Sequence, residues 1–250
     1  NGEMDFQIAT KRGIPIFVPI DDRVVFTEDA GVFSQLFVRD ADALVIQKLK
    51  ATCHYIKAGR IKHQYPTCWR SHHKLVWLSR REYFYMTEML GSKPLEAAQS
   101  VRYFFNAPKN RFIEIIKEKV PWCITRERLW GTPLPIWSCV NCKRKDLLYS
   151  RKQIIERAIS LPDGKQFPLH RPQLDRINLK CDSCGSIMQR EVFVLDTWHN
   201  SGAAPYASLT DSEYHQLVPS SFLTEGIDQT RGWAYTMLLE NIILSGSPIS

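Results

Sequence analysis

The chain has 250 residues, 44% hydrophobic and 24% charged, ordinary values for a globular protein with one large core or two modest ones. Lys and Arg number 33 against 26 Asp and Glu, a net charge of +7. No apolar run approaches the roughly 20 residues that span a bilayer, and Asn1-Gly2-Glu3-Met4-Asp5 lacks a leader's charged and apolar regions, so a cytoplasmic protein without a membrane partner is expected. The missing initiator Met suggests a piece of something longer.

Residues 1 to about 40 read as short strands and turns. Ile14–Ile20 is extended, because two prolines and β-branched residues exclude a helix, and Arg23–Thr27 is a second strand candidate. Asp40 to Lys57 has helical spacing, with Leu44, Ile46, Leu49 and Ile56 on one face and Asp40 as N-cap. The run from Lys57 to Arg81 holds seven Lys and Arg, no Asp or Glu, and Tyr65, Trp69 and Trp77 among them. Such a run can hold phosphates and stack bases, or it can be a solvated face whose aromatics turn inward. Extended pieces at Leu75–Leu78 and Glu82–Met86 lead to helices over 95–105 and 110–119.

The stretch Pro121–Trp137 is the densest in the chain. Trp122–Thr125 reads as a short buried strand, Arg126-Glu127-Arg128 places charge where it leaves the core, and Gly131-Thr132-Pro133 is turn chemistry. Beyond it, Ser150 caps a helix to Ile159, and the prolines of residues 160–180 make an irregular connection. Val192–Leu195 and Phe222–Thr224 read as strands. Glu225–Asp228 is the turn into a last helix reaching Leu244, apolar nearly all round and so buried between layers.

Cys139, Cys142, Cys181 and Cys184 form two Cys-x-x-Cys pairs, the composition of a tetrahedral structural zinc site in a reducing compartment. The gap between the pairs is long enough to require an inserted helix. Four thiolates leave no open position, so the role is structural; the alternative is unpaired core cysteines. Cys68-Trp69-Arg70-Ser71 resembles a Cys-Trp-Arg-Cys that serves a second zinc site in isoleucyl-tRNA synthetases, but Ser71 replaces the second cysteine; His72 or His73 could substitute, and a surface turn without metal is the expectation.

Several segments resemble isoleucyl-tRNA synthetases of class I. Trp122–Pro135 is similar to their Trp-Cys-Ile-Ser-Arg-Gln-Arg-x-Trp-Gly-Thr-Pro-Ile-Pro signature, around which valyl and leucyl relatives differ. Glu225-Gly226-Ile227-Asp228-Gln229-Thr230-Arg231-Gly232-Trp233 is a second match. Asp196-Thr197-Trp198-His199-Asn200-Ser201-Gly202 looks like the family's Asp-x-Trp-Phe-Asp-Ser-Gly, with His199 and Asn200 departing from it. Asn1–Asp5 resembles the end of the editing motif Gly-x-Asp-Asp. The signatures His-Ile-Gly-His and Lys-Met-Ser-Lys-Ser do not occur.

The resemblance implies an α/β fold. It would be part of a Rossmann-type catalytic domain with an inserted four-cysteine zinc-binding subdomain and the tail of a β-rich editing domain. Residues 1–66 would close the editing domain, 67–138 return to the catalytic domain, 139–190 form the zinc insertion and 191–250 the second catalytic half. It implies that Glu225, Gly226, Asp228 and Gln229 hold the aminoacyl-adenylate, that Trp198 and Trp233 wall the amino-acid pocket, and that Asp5 serves editing. Without the resemblance, Asp228 would be read as a helix cap, Glu225 as solvated and Trp198 as core. The implied partners are isoleucine, ATP with Mg2+, and tRNA(Ile), in a monomeric parent enzyme. A zinc-stabilised RNA-binding module without catalysis, or a valyl enzyme, are the alternatives.

Overall fold

The computed structural model describes residues 3–245, and the chain divides into two compact units, Asn1–Arg81 and Glu82–Ser250. The first holds α1 (Glu3–Lys11), a 3-10 turn at Glu28–Phe33 and α2 (Asp42–Ala51). The expected strands there shrink to single bridges, Ile20 to Phe26 and Val25 to Phe37. Asp21 is the reason: its carboxylate accepts the N–H groups of Arg23 at 2.9 Å and Val25 at 3.0 Å, closing a turn where a ladder would have to run. α2 begins after Ala41 with no side-chain cap, so Asp40 is not its N-cap, and Ile56 lies beyond its end, 97% exposed. Ala41 is the one buried apolar residue among the described residues of this unit. Those residues form no core of their own.

The second unit opens with β1 (Phe84–Tyr85), a 3-10 turn at Thr87–Leu90, α3 (Lys93–Ser100) and α4 (Asn106–Lys117). Pro94 lies in the first turn of α3, where a missing N–H costs nothing. β2 (Trp122–Cys123) pairs antiparallel with β1. Next come β3 (Thr125–Arg126), β4 (Ile136–Cys139), β5 (Lys145–Leu147) and α5 (Arg151–Arg157). β6 (Leu179–Lys180), β7 (Ile187–Arg190) and β8 (Val194–Leu195) follow. Then α6 (Thr197–Gly202), α7 (Ala204–Ser208) and α8 (Asp211–Leu217) lead to a 3-10 turn at Ile227–Arg231 and α9 (Trp233–Ser245).

α5 starts as its sequence requires. The Ser150 hydroxyl accepts from the backbone of Gln153, and the Gln153 side chain accepts from the backbone of Ser150, both at 3.2 Å. The sheet β5-β4-β7-β6 is antiparallel throughout. Its period-2 alternation turns Trp137, Cys139, Met188 and Arg190 inward. Trp137, Met188, Phe167, Ile177 and Leu179 form a dry core against Ile154 of α5.

Arg190 is fully buried at one end of this sheet. Its guanidinium donates to Asp175 and to the carbonyls of Leu134 at 3.1 Å and Phe193 at 2.9 Å. Burial pulls its pKa down, and the Asp175 carboxylate offsets part of that. Loss of Asp175 would leave a buried cation uncompensated, a change of about 3 kcal/mol or more.

A second core joins Ala97 and Ala98 of α3, Phe112 and Ile116 of α4, and Leu238 and Ile242 of α9. α9 is buried less evenly than its composition predicts: Ile243 and Leu244 are exposed, while Glu240 and Asn241 are inside. Asn241 accepts from the hydroxyls of Tyr206 and Tyr214, which accounts for its burial.

The expected strand at Phe222–Thr224 is absent. No strand stands beside it, and Phe222 stays 67% exposed. Every strand pairing among the described residues is antiparallel, so the piece of parallel sheet implied by the resemblance is not among them. No helix among them is long and apolar enough to cross a membrane.

Candidate functional site

β3 pairs with β8, Thr125 opposite Leu195 and Arg126 opposite Val194. The next residue, Asp196, donates its N–H to the Ile124 carbonyl at 2.8 Å and ends the ladder. Its carboxylate is nearly buried and takes three donors: the Trp198 backbone at 3.4 Å, the Trp122 indole at 3.1 Å and Arg126 at 2.7 Å. The first caps α6, and the charge-assisted contact with Arg126 compensates for burying an anion. Sequence alone showed Asp196 and Arg126 as motif members. It could not show that they meet across 70 residues.

α6 and α9 cross with backbones close together. A Cβ on Gly202 would lie 2.9 Å from the Glu240 carboxylate and 3.0 Å from the Thr236 backbone. Trp198 is 40% exposed, and its ring edge lies 3.1 Å from where a Cβ on Gly232 would stand. Trp233 donates its indole N–H to the Ser201 carbonyl at 2.9 Å, tying α9 to α6. A relay of side chains fixes its approach: Gln229 accepts from the Trp233 backbone at 3.0 Å and donates to the Asp228 carboxylate at 2.9 Å. Asp228 folds back over Gly226, 2.5 Å from its absent Cβ, so a larger residue there would displace the carboxylate.

Gly226, Asp228, Gln229, Trp198 and Trp233 are thus brought into one connected region. Glu225 is exposed at its entrance. Indoles beside exposed carboxylates suit a ligand with an apolar group and an amine.

The four sulfurs of Cys139, Cys142, Cys181 and Cys184 lie within 4.8 Å of one another, two contacts being 3.5 and 3.7 Å. Zinc–thiolate bonds of about 2.3 Å put tetrahedral sulfurs about 3.8 Å apart, so the cluster fits the ion. Each pair turns on a residue of positive φ after its second cysteine, Lys143 at 61° and Gly185 at 72°. Glycine takes that conformation freely and Lys143 at some cost. Hydrogen bonds from Ser186 lower the Cys184 thiol to about 6, while the neighbouring sulfurs push Cys142 up to about 12.

Residues 33–248 match the family of class I tRNA synthetases for I, L, M and V. The chain belongs to that family. It is 36% identical to the isoleucine–tRNA ligase of Saccharolobus islandicus over 98% of its own length and 23% of the relative's. Against the isoleucine–tRNA ligase of Methanothermobacter marburgensis it is 37% identical, covering 95% of this chain and 23% of the other. The one from Methanocaldococcus jannaschii is 36% identical, covering 99% and 24%. The chain therefore spans about a quarter of these relatives. A crystal structure of an Agrobacterium radiobacter LeuRS–tRNA–LeuAMS complex aligns at 21% identity and a TM-score of 0.37, covering 59% of this chain and 21% of the other, too slight a likeness to bear on the fold.

In this synthetase chain the remaining motif residues lie away from the two tryptophans in sequence and belong to the first unit. Asp5 is exposed on α1, while Asn1 and Gly2 of the same motif lie outside the described residues. The basic run is largely irregular and exposed, with Trp69 74% and Trp77 83% accessible. Its aromatics do not turn inward. Arg70 covers the Trp69 ring at 4.6 Å, and Cys68 sits in a tight turn in which Ser71 lowers its thiol to about 7. Among the described residues the group of four cysteines is the one cluster arranged for a metal.

Proposed function

We propose that this chain is an internal piece of an isoleucine–tRNA ligase and contributes the amino-acid side of its adenylation site. The observation that carries the reading is the relay Asp228–Gln229–Trp233–Ser201, which holds two indoles on adjoining helices of a chain whose relatives bear that name. Trp198 and Trp233 grip the aliphatic side chain, since flat apolar rings fit a branched hydrocarbon. Glu225 and Asp228 take the α-ammonium group, and Gln229 holds Asp228 in place. Catalysis by the parent is a matter of positioning a carboxylate in line with the α-phosphate of ATP and stabilising charge, with Mg2+ supplied alongside. A hydrophobic pocket separates poorly by one methylene, a limit for which isoleucyl enzymes facing valine are the standard case. A separate editing site in the parent follows from that.

In this reading residues 1–66 close the editing domain around Asp5, and 67–138 return to the catalytic domain. Residues 139–190 are the zinc insertion, and 191–250 enter a Rossmann-type sheet completed by the rest of the parent, a cytoplasmic monomer that charges tRNA(Ile). The ATP-binding signatures are missing, so the isolated chain is expected to give no isoleucine-dependent ATP–pyrophosphate exchange.

The test is binding of a non-hydrolysable isoleucyl-adenylate analogue, followed by calorimetry. Removing a packed aromatic wall costs on the order of 1–3 kcal/mol, so Trp233→Ala should weaken binding by about tenfold or more with zinc content unchanged. Tight RNA binding with no analogue binding, and no response to Trp233→Ala, would instead favour a non-catalytic RNA module built on the basic run.

A further inference from the structure

His199 and Glu240 make a contact that neither the zinc site nor the adenylate reading uses. His199 follows Trp198 on α6, and Glu240 lies two turns after Trp233 on α9. The imidazole Nδ1 stands 2.8 Å from a Glu240 oxygen, with the side chains 23% and 4% exposed. The contact has ion-pair distance without the direction of a hydrogen bond, and neither carboxylate oxygen has a hydrogen-bond donor among the described residues. His199 is therefore the side chain in contact with a buried carboxylate that has no hydrogen-bond donor among the described residues. A Cβ on Gly202 of α6 would stand 2.9 Å from this same carboxylate.

The surroundings are mostly aromatic. The rings of Tyr85 on β1 and Trp122 on β2 stand 6.0 and 6.3 Å from the imidazole. Burial, and then the Glu240 charge, push the Tyr85 hydroxyl up. Asp196, bonded to the Trp122 indole, is already matched by Arg126. Among the described residues, nothing else charged faces the pair from these elements. In the family signature that this segment resembles, position 199 is a phenylalanine, which can fill the space but cannot neutralise Glu240.

We propose that His199 and Glu240 are positioning residues, a one-proton clamp between α6 and α9 that sets the spacing of Trp198 and Trp233. With one proton on the pair, each charge is matched or both groups are neutral, and the seam closes. Without it, a bare anion remains between the helices; with a second proton, an unmatched imidazolium does. Burial raises the Glu240 pKa and His199 draws it back. A carboxyl raised on folding contributes stability that is present at low pH and lost as pH rises through the folded value, so the seam loosens as pH rises. The effect on ligand binding rests on the adenylate reading; the clamp itself does not.

The test follows the Trp233 indole N–H, which bonds to Ser201 across the same seam, by NMR from roughly pH 5 to 9. Trp233→Phe assigns the signal. In the unmodified chain it should titrate, with faster solvent exchange as the proton is lost. In the double variant His199→Phe/Glu240→Leu, which leaves neither titratable group of the pair, the titration should vanish while zinc content and circular dichroism hold. A signal that does not titrate, or that still titrates in the double variant, overturns the proposal. Affinity for the isoleucyl-adenylate analogue should vary about tenfold over that range in the unmodified chain and lose that dependence in the double variant. A titrating indole with pH-independent analogue affinity overturns the link to the pocket. A titrating indole with no analogue binding at any pH upholds the clamp and refutes the adenylate reading.

Discussion

Stripping zinc from Cys139, Cys142, Cys181 and Cys184, or replacing Cys181 with Ser, is expected to unfold residues 139–190 and leave the α3–α4–α9 packing in place. The zinc unit is small, and a core of its size is marginal without a staple. Cys139 and Cys181 are members of that core, beside Trp137 and Met188, so an ion held there would tie the ends of two strands where their apolar faces meet. Binding to such sites contributes on the order of 10 kcal/mol, far more than any single contact in the sheet. One zinc per chain is expected by elemental analysis. Chelation should lower the unfolding temperature of this unit by more than about 10 °C and remove the near-UV signal of Trp137, which is wholly buried. A metal-free chain with an unchanged signal and melting point would show that the thiols pack without the ion.

Gly202→Ala should be the most damaging small substitution in the candidate site. Alanine favours a helix over glycine by about 1 kcal/mol, so local preference predicts stabilisation. The added methyl, however, meets backbone at 3.0 Å and the Glu240 carboxylate at 2.9 Å, and the helix axes must part to admit it. Overpacking of this kind costs about 1–3 kcal/mol, and the crossing takes the loss together with the Trp233–Ser201 bond. Urea denaturation should show the drop. Gly59→Ala, whose new methyl meets nothing within 4 Å, should leave stability within about half a kcal/mol. Equal effects from the two would mean that α6 and α9 do not cross so closely.

Local chemistry was legible in the sequence, and long-range pairing was not. Ser150 was readable as a cap because its partner, Gln153, is three residues away. The cysteine pairs were readable because zinc dictates their spacing. α3 and α4 exist as expected from apolar periodicity, but α3 ends five residues before the expected Phe105 and α4 begins four before the expected Asn110. Phe222–Thr224 failed because strand-forming residues make a strand only beside another one. The strands before α2 failed because one aspartate, Asp21, redirected the backbone. Arg190 with Asp175, and His199 with Glu240, carried no signal at all, because each pair exists only once separate elements have packed. The site is split in the same way: the Glu225–Trp233 motif announced itself, while the relay through Gln229 and the seam at Gly202 emerged from the fold.

The most direct measurement is an intermolecular NOE experiment on the chain with a bound isoleucyl-adenylate analogue carrying a 13C-labelled side chain. Contacts from the labelled methyls to the indole protons of both Trp198 and Trp233 are expected, each lost when that tryptophan is replaced by Phe. Methyl contacts confined to the Lys57–Arg81 segment, or to one tryptophan alone, would contradict a pocket walled by the two.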